Sequence, residues 1–416
     1  MDKLLRSHAD SITAAAIKAV QPDEAVARAL KGQEFPGRVL LVAAGKAAWQ
    51  MAKAAHDCLG SRIEQGVVVT KYDHVMGPIA NFDCREAGHP VPDENSFSAT
   101  QAALDLVQGL TPQDTVLFLL SGGGSALLEK PLVPGPELQD VTRQLLACGA
   151  DIVEINTIRK RLSAVKGGRF AQVCAPAQVF SIVLSDILGD PLDMIASGPA
   201  YPDASTAAQA QAIAEKYKLE LSDEARDLLG RETPKTLDNV ATQITGSVRE
   251  LCAAAERAAK ELGYAPILLT DQLCCEAREA GSFLAGILKT HQGSERSLAF
   301  IAGGETVVHL TGKGKGGRNQ ELALAASAGI NGLKGAAVFS VGSDGTDGPT
   351  DAAGGYADSQ TLGELSAHGL DLFQVMADND AYHALQATGG LIVTGPTGTN
   401  VNDFAMALLW RGGRPA

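Results

Sequence analysis

Short apolar runs of strand length recur along this chain, each followed by a glycine-bearing polar turn and usually by a helical pattern. Arg38–Ala43 (RVLLVA) leads through Gly45-Lys46 into Ala47, Met51, Ala54 and Cys58 at helical spacing. Gly66–Thr70, Thr115–Leu120 and Val179–Leu184 repeat the theme. It then restarts, with a helix predicted over Val248–Leu262 and strands over Pro266–Thr270, Ser297–Ala302, Thr306–Leu310, Ala337–Val341 and Leu391–Thr394. Strands that are apolar throughout and alternate with helices belong in parallel sheets covered on both faces, so the predicted fold class is α/β. A chain of 416 residues exceeds one core, and two domains are expected. The polar stretch from Asp203 to Ser247, broken at Thr233-Pro234-Lys235, sets the boundary near residue 240, giving domains 1–240 and 241–416.

A net charge of −13 repels nucleic acid and anionic lipid. Aromatic residues make up 5% of the chain, thin for a base-stacking surface. The expected partner is therefore a small molecule, not nucleic acid or membrane. Seven cysteines without a C-x-x-C pair fit a reducing compartment. The eight histidines show no metal-ligand spacing. Met1–Glu24, with four acids among its apolar residues, reads as an amphipathic helix and not a signal peptide. No apolar run approaches the ~20 residues of a membrane span. A cytoplasmic location is expected.

In open α/β sheets ligands bind beyond the carboxyl ends of the strands, which directs attention to the turns. Ser121-Gly122-Gly123-Gly124-Ser125 offers bare backbone N–H groups suited to a phosphate or carboxylate. Lys46 puts a positive charge at the start of a helix, a position that an anion would make favourable. Gly312–Arg318 gathers three cations among four glycines, an arrangement that a polyphosphate would justify. Asp186, Asp190, Asp344, Asp347 and Asp351 follow strands, where carboxylates hold Mg²⁺ or accept a substrate proton. Each taken singly also suits a cap or turn. Arg159, Lys160, Arg161, Lys166 and Arg169 form a basic stretch, and Gly167-Gly168 opens the backbone beside Lys166. The P-loop pattern is absent. Gly312-x-Gly314-x-x-Gly317 matches the dinucleotide fingerprint, with Asp344 after the next strand, and supports an NAD(P)H-dependent reductase as the alternative. Against it, two lysines and an arginine crowd the loop, and Asp344 lies beyond the ~20-residue offset of a ribose-binding acid. A non-enzymatic anion-binding protein would not need so many acids.

Together these turns resemble the MOFRL-type glycerate kinases, the glycerate 2-kinase family. The resemblance spans nearly the whole chain and rests on Ala43–Ala48, Gly88–Asp93, Leu120–Ala126, Ile155–Lys160, Lys166–Arg169, Leu184–Asp190, Ala196–Pro199, Gly303–Thr306, Gly316–Glu321, Gly342–Gly348 and Gly395–Asp403. It implies two α/β domains, the first with a Rossmann-like parallel sheet, and an active site in the cleft between them. It implies transfer of phosphate from ATP, with Mg²⁺, to the 2-hydroxyl of D-glycerate to give 2-phosphoglycerate, by a monomer or homodimer. Lys46 and Arg318 become the positive groups at the reacting phosphate. Ser121, Gly122, Gly123, Gly124, Ser125, Asn156, Lys160, Lys166, Glu305, Asn319, Gln320, Asp344, Thr399, Asn400 and Asn402 become candidates for holding substrate or phosphate. Asp186 is the candidate proton acceptor or metal ligand, and Asp190 a second metal ligand. Members of this family have often been labelled hydroxypyruvate reductases, the reaction of the alternative reading.

Overall fold

Val39–Ala44 (VLLVAA) is buried at all six positions and forms β1. Thr115–Leu120 (TVLFLL), equally buried, forms β4. Sequences with no polar face suit strands covered by helices on both sides. The first sheet also holds β2 (Ile63–Lys71), β3 (Phe82–Ala87), β5 (Gln178–Leu184) and β6 (Val240–Gly246), in the order β3-β2-β1-β4-β5-β6. The four pairings from β3 to β5 are parallel. This is the doubly wound order, and its direction reverses between β1 and β4. The structure, a computed structural model, describes residues 1–412.

The second sheet holds β7 (Ala265–Leu273), β8 (Leu298–Gly304), β9 (Ala336–Gly342), β10 (Gly354–Asp358), β11 (Leu391–Ile392) and β12 (Asp403–Leu409). Its order is β11-β10-β9-β12-β8-β7. It departs from the expected parallel arrangement: only β7–β8 is parallel, while β8–β12, β12–β9, β9–β10 and β10–β11 are antiparallel. Two of these pairings arise from β12, a wholly buried strand that enters between β8 and β9, and the other two from β10, which runs against both of its neighbours. The strand expected at Thr306–Leu310 is absent. Val307 makes one isolated bridge to Glu276, and Val307 and Leu310 are exposed, so the apolar run is only partly covered.

The chain forms two compact units, each discontinuous in sequence. One runs from Pro22 to Ser185 and from Asp190 to Thr245, and so includes nearly all of β6. The other joins Met1–Gln21 and Asp186–Gly189 to the chain from Gly246 onward. The helix Lys3–Ala19 belongs to the second unit because Leu5, Ala9, Ile12 and Ala16 pack in one core with Val248, Leu251, Phe339 and Phe404. Among the described residues no helix is long and apolar enough to cross a membrane.

Candidate active site

The reversal of strand order brings the turns after β1 and β4 side by side. Gly45, at φ +129°, lies so close to Ser121 that any side chain there would collide with it. The Lys46 N–H donates to Gly122 O (2.8 Å), and the Ala47 N–H to Ser121 Oγ (3.0 Å). Gly123, at φ +85°, lies against two side chains: a Cβ there would come 3.0 Å from the His89 ring and 3.2 Å from Lys46 Cγ. Lys46 and His89 therefore flank the glycine loop. Burial lowers the pKa of His89, and the charges of Lys46 and Lys71 lower it further. Among the described residues the Lys46 ammonium has no hydrogen bond or ion pair. Unpaired positive charge beside open backbone is the chemistry of an anion site. The helix that follows, Gly124–Leu127, is a single turn, so its dipole adds little.

The loop rests on a polar floor. Ser125 Oγ lies 3.0 Å from Ser197 Oγ, Ser197 Oγ donates to Asn156 Oδ1 (3.1 Å), and Asn156 Nδ2 reaches Met194 Sδ (3.7 Å). Ala196 and Ser197 both adopt left-handed backbone, at φ +51° and +62°, strain of the kind that concentrates at functional sites. Lys160 is buried and bound to Asp203 (3.1 Å) and Asp193 (3.6 Å) at the edge of a cavity of 460 Å³. Lys166 is fully buried. Its ammonium donates to Ser125 O (2.9 Å) and Leu128 O (3.0 Å) and forms an ion pair with Glu129 Oε2 (2.9 Å). It therefore supports the loop and offers nothing to a ligand. Burial pushes its pKa down to about 8, with Glu129 opposing the shift.

In the second unit, Arg318 begins the helix Arg318–Ile330. Its Nε and Nη2 donate to Asp403 (2.5 and 3.0 Å), and Nη1 donates to Glu305 Oε1 (2.9 Å). Burial weakens its hold on the proton, but hydrogen bonding to Asp403 and the nearby carboxylates outweigh this and raise its pKa. Asp347, from the turn after β9, caps this helix from outside by accepting the backbone N–H groups of Asn319 (3.1 Å) and Gln320 (2.9 Å). A side chain on Gly317 would strike that carboxylate. Burial pushes the Asp347 pKa up to about 6, and burial also raises that of Asp403. Asn402, at φ +66°, donates to Glu305 Oε2 (3.2 Å) and to Asp186 O (3.1 Å). Asn319 is held between Ser340 and Asp347.

The remaining candidates have local hydrogen-bond partners. Gln320 donates to Asp347 O and Thr350. Thr399 donates to Val20 O. Asn400 accepts from the Asn402 N–H, and Asp344 from the Thr346 N–H. The glycine loop at 312–317 is not an open cradle. The N–H groups of Gly312, Lys313, Gly314 and Lys315 all donate to Asp378, Asn379 or Asp380, and the Lys315 ammonium sits over the Tyr382 ring at 4.4 Å. Among the described residues no strand leads directly into the loop, so the fingerprint lacks the open amides at a strand-to-helix turn that dinucleotide binding requires.

Among the described residues no group of three His, Cys, Asp or Glu side chains could hold a metal ion. Mg²⁺ commonly takes only one or two carboxylates beside waters and phosphate oxygens. Asp190 fits that need: it has left-handed backbone (φ +52°) and a buried Oδ1 with no hydrogen-bond partner.

Comparison with known proteins gives a family. Residues 8–230 match a domain family described as of unknown function (DUF4147), and residues 298–403 match the MOFRL family. The chain is 53% identical to the D-glycerate 2-kinase of Thermotoga maritima, over 97% of this chain and 98% of that one. It belongs to the MOFRL-type glycerate kinases. The crystal structure of the Thermotoga maritima glycerate kinase superposes with a TM-score of 0.94 at 52% identity, covering 98% of this chain and 100% of that one. A less similar relative, 39% identical over 95% of this chain and 92% of its own, bears the name putative hydroxypyruvate reductase (Agrobacterium vitis). As a glycerate kinase the chain is a phosphotransferase that uses ATP as co-substrate and a small molecule as acceptor. His89, Ser197, Asp347 and Asp403 join its candidate site from the structure. His89, Ser197 and Asp403 lie inside the sequence blocks Gly88–Asp93, Ala196–Pro199 and Gly395–Asp403, and Asp347 stood among the acids after strands.

Proposed function

We propose that this kinase phosphorylates D-glycerate at its 2-hydroxyl, with ATP and Mg²⁺, to give 2-phosphoglycerate. The near full-length identity to a D-glycerate 2-kinase carries the reading. The geometry supports the following reading of the residues' roles. The backbone of Ser121–Ser125 and the flanking cations bind the glycerate carboxylate and fix its orientation. Lys46, whose ammonium is unpaired among the described residues, and Arg318 neutralise charge on the transferring phosphoryl group. Arg318 keeps its Asp403 fork and exchanges Glu305 for phosphate at Nη1, because the Glu305 side chain is 46% exposed against 8% for Asp403. Asp186 accepts the hydroxyl proton or joins Asp190 in holding the metal. Asp190 and Asp186 would hold Mg²⁺, which when bound would supply positive charge against the polyphosphate. Phosphoryl transfer is mostly positioning and electrostatics, which is what these fixed charges supply. We assign the enzyme to the cytoplasm, as a monomer or homodimer.

The test is an ADP-release assay with D-glycerate, ATP and Mg²⁺, with the product position read by ³¹P NMR. Turnover to 2-phosphoglycerate is expected. Failure to release ADP, together with NAD(P)H oxidation by hydroxypyruvate, would overturn the reading. The loop assignment has its own check. Gly123→Ala, strained at φ +85° and pressed on His89, should raise KM for D-glycerate about tenfold or more.

A further inference from the structure

Beneath the Ser121–Ser125 loop lies a charged cluster closed off from solvent. Lys166 and Glu129 are both fully buried, and the Arg159 side chain is 14% exposed. The Ser125 carbonyl receives two cationic donors at once, Lys166 Nζ at 2.9 Å and Arg159 Nη2 at 3.0 Å. Lys166 also binds Leu128 O, so one ammonium spans both ends of the turn Gly124–Leu127. A four-residue helical turn does not hold its shape alone, since its nucleation cost exceeds what its few hydrogen bonds return. Its carbonyls need partners, and cations are the favoured ones at this end of a helix. Glu129 lies 2.9 Å from Lys166 and 3.9 Å from Arg159. Two cations against one carboxylate leave an excess positive charge under the loop.

We propose that Lys166 and Arg159, balanced by Glu129, form a buried strut that holds the glycine loop in its anion-accepting shape and adds positive potential beneath it. Lys166 is thus a positioning residue for the acceptor's carboxylate, acting through Ser125 and Leu128 without touching the ligand. This rests on the assignment of the loop to the glycerate carboxylate. Through Ser125 and Leu128 the strut acts on the glycine loop, so its removal acts first on the acceptor that the loop holds. A purely structural role would instead lower stability and shift both substrates alike.

Two variants test it: Lys166→Met combined with Glu129→Gln, which removes the fully buried pair together and leaves Arg159 its bond to Ser125 O, and Arg159→Met alone. Each is assayed for kcat and for KM toward D-glycerate and ATP, with Tm measured alongside. KM for D-glycerate should rise about tenfold or more while KM for ATP stays within about twofold. Unchanged KM for D-glycerate, or an equal rise for both substrates, overturns the strut. Should the paired variant not fold, Arg159→Met decides on the same criteria. If Gly123→Ala also leaves KM for D-glycerate unchanged, the loop assignment itself has failed. If Gly123→Ala raises it and the strut variants do not, only the strut has failed.

Discussion

Arg318 meets Asp403 through two parallel hydrogen bonds, a planar fork that fixes the guanidinium before any phosphate arrives. If it acts as an arginine finger, Arg318→Ala should cost about 10³–10⁵ in kcat, and a loss below roughly tenfold would rule the role out. Asp347 holds the same helix start at a measurable cost. Its folded carboxyl keeps the proton to about pH 6, against an ordinary value of 3.8. The folded chain thus binds more protons than the unfolded one between those values. The stabilisation from this group is complete below about pH 4 and is lost as pH rises through 6, a change of roughly 3 kcal/mol at most. Asp347→Asn removes that titration. Urea melts of wild type and variant should therefore show the wild type losing its relative advantage between about pH 4.5 and 6.5. A growing advantage would mean that the two helix N–H donors, not burial, control this carboxyl.

At the level of elements, the helix Lys3–Ala19 shows how much a single amphipathic segment contributes. Ile12 is completely buried in the core of the second unit, and Ile12→Ala should destabilise that unit by about 2–5 kcal/mol in denaturant melts. Its pattern was legible in the sequence, as were β1, β4 and β8, because their apolar runs are complete. Others were not. β3 (FDCREA) is a half-exposed edge strand with three charged residues in six, so no periodicity marks it. β12 (DFAMALL) is apolar, but only its tertiary slot between β8 and β9 identifies it as a strand. Thr306–Leu310 has strand-like composition and pairs at a single residue, Val307 with Glu276, too little for a strand. The same limit applies to the site. Lys46 stands out because the turn after β1 is local. The partnership of Asp347 with Asn319 and Gln320 crosses 28 and 27 positions of sequence, and no local spacing announces it. Lys166 drew attention for its glycine neighbours, yet those glycines serve close packing against Tyr201, Asp203 and Thr233.

Across the molecule, a chain of net charge −13 acts on anionic substrates, so binding depends on local positive centres and not on the overall field. The units also divide stability. Deleting residues 1–20 should strip hydrogen-exchange protection from β8, β9 and β12 while β1, β4 and β5 keep theirs, and equal loss in both sheets would contradict the division. The composition of the second unit has a consequence for biosynthesis. Its first helix, Lys3–Ala19, leaves the ribosome long before β12, Asp403–Leu409, the strand that joins β8 to β9. At about 5–20 residues per second the early helix waits on the order of tens of seconds with its apolar face unmatched. The first sheet is meanwhile complete as soon as β6 has emerged. Arg318 and Asp403 are joined only once β12 has emerged, so a nascent chain that stalls before β12 carries a finished Ser121–Ser125 loop and no assembled arginine fork.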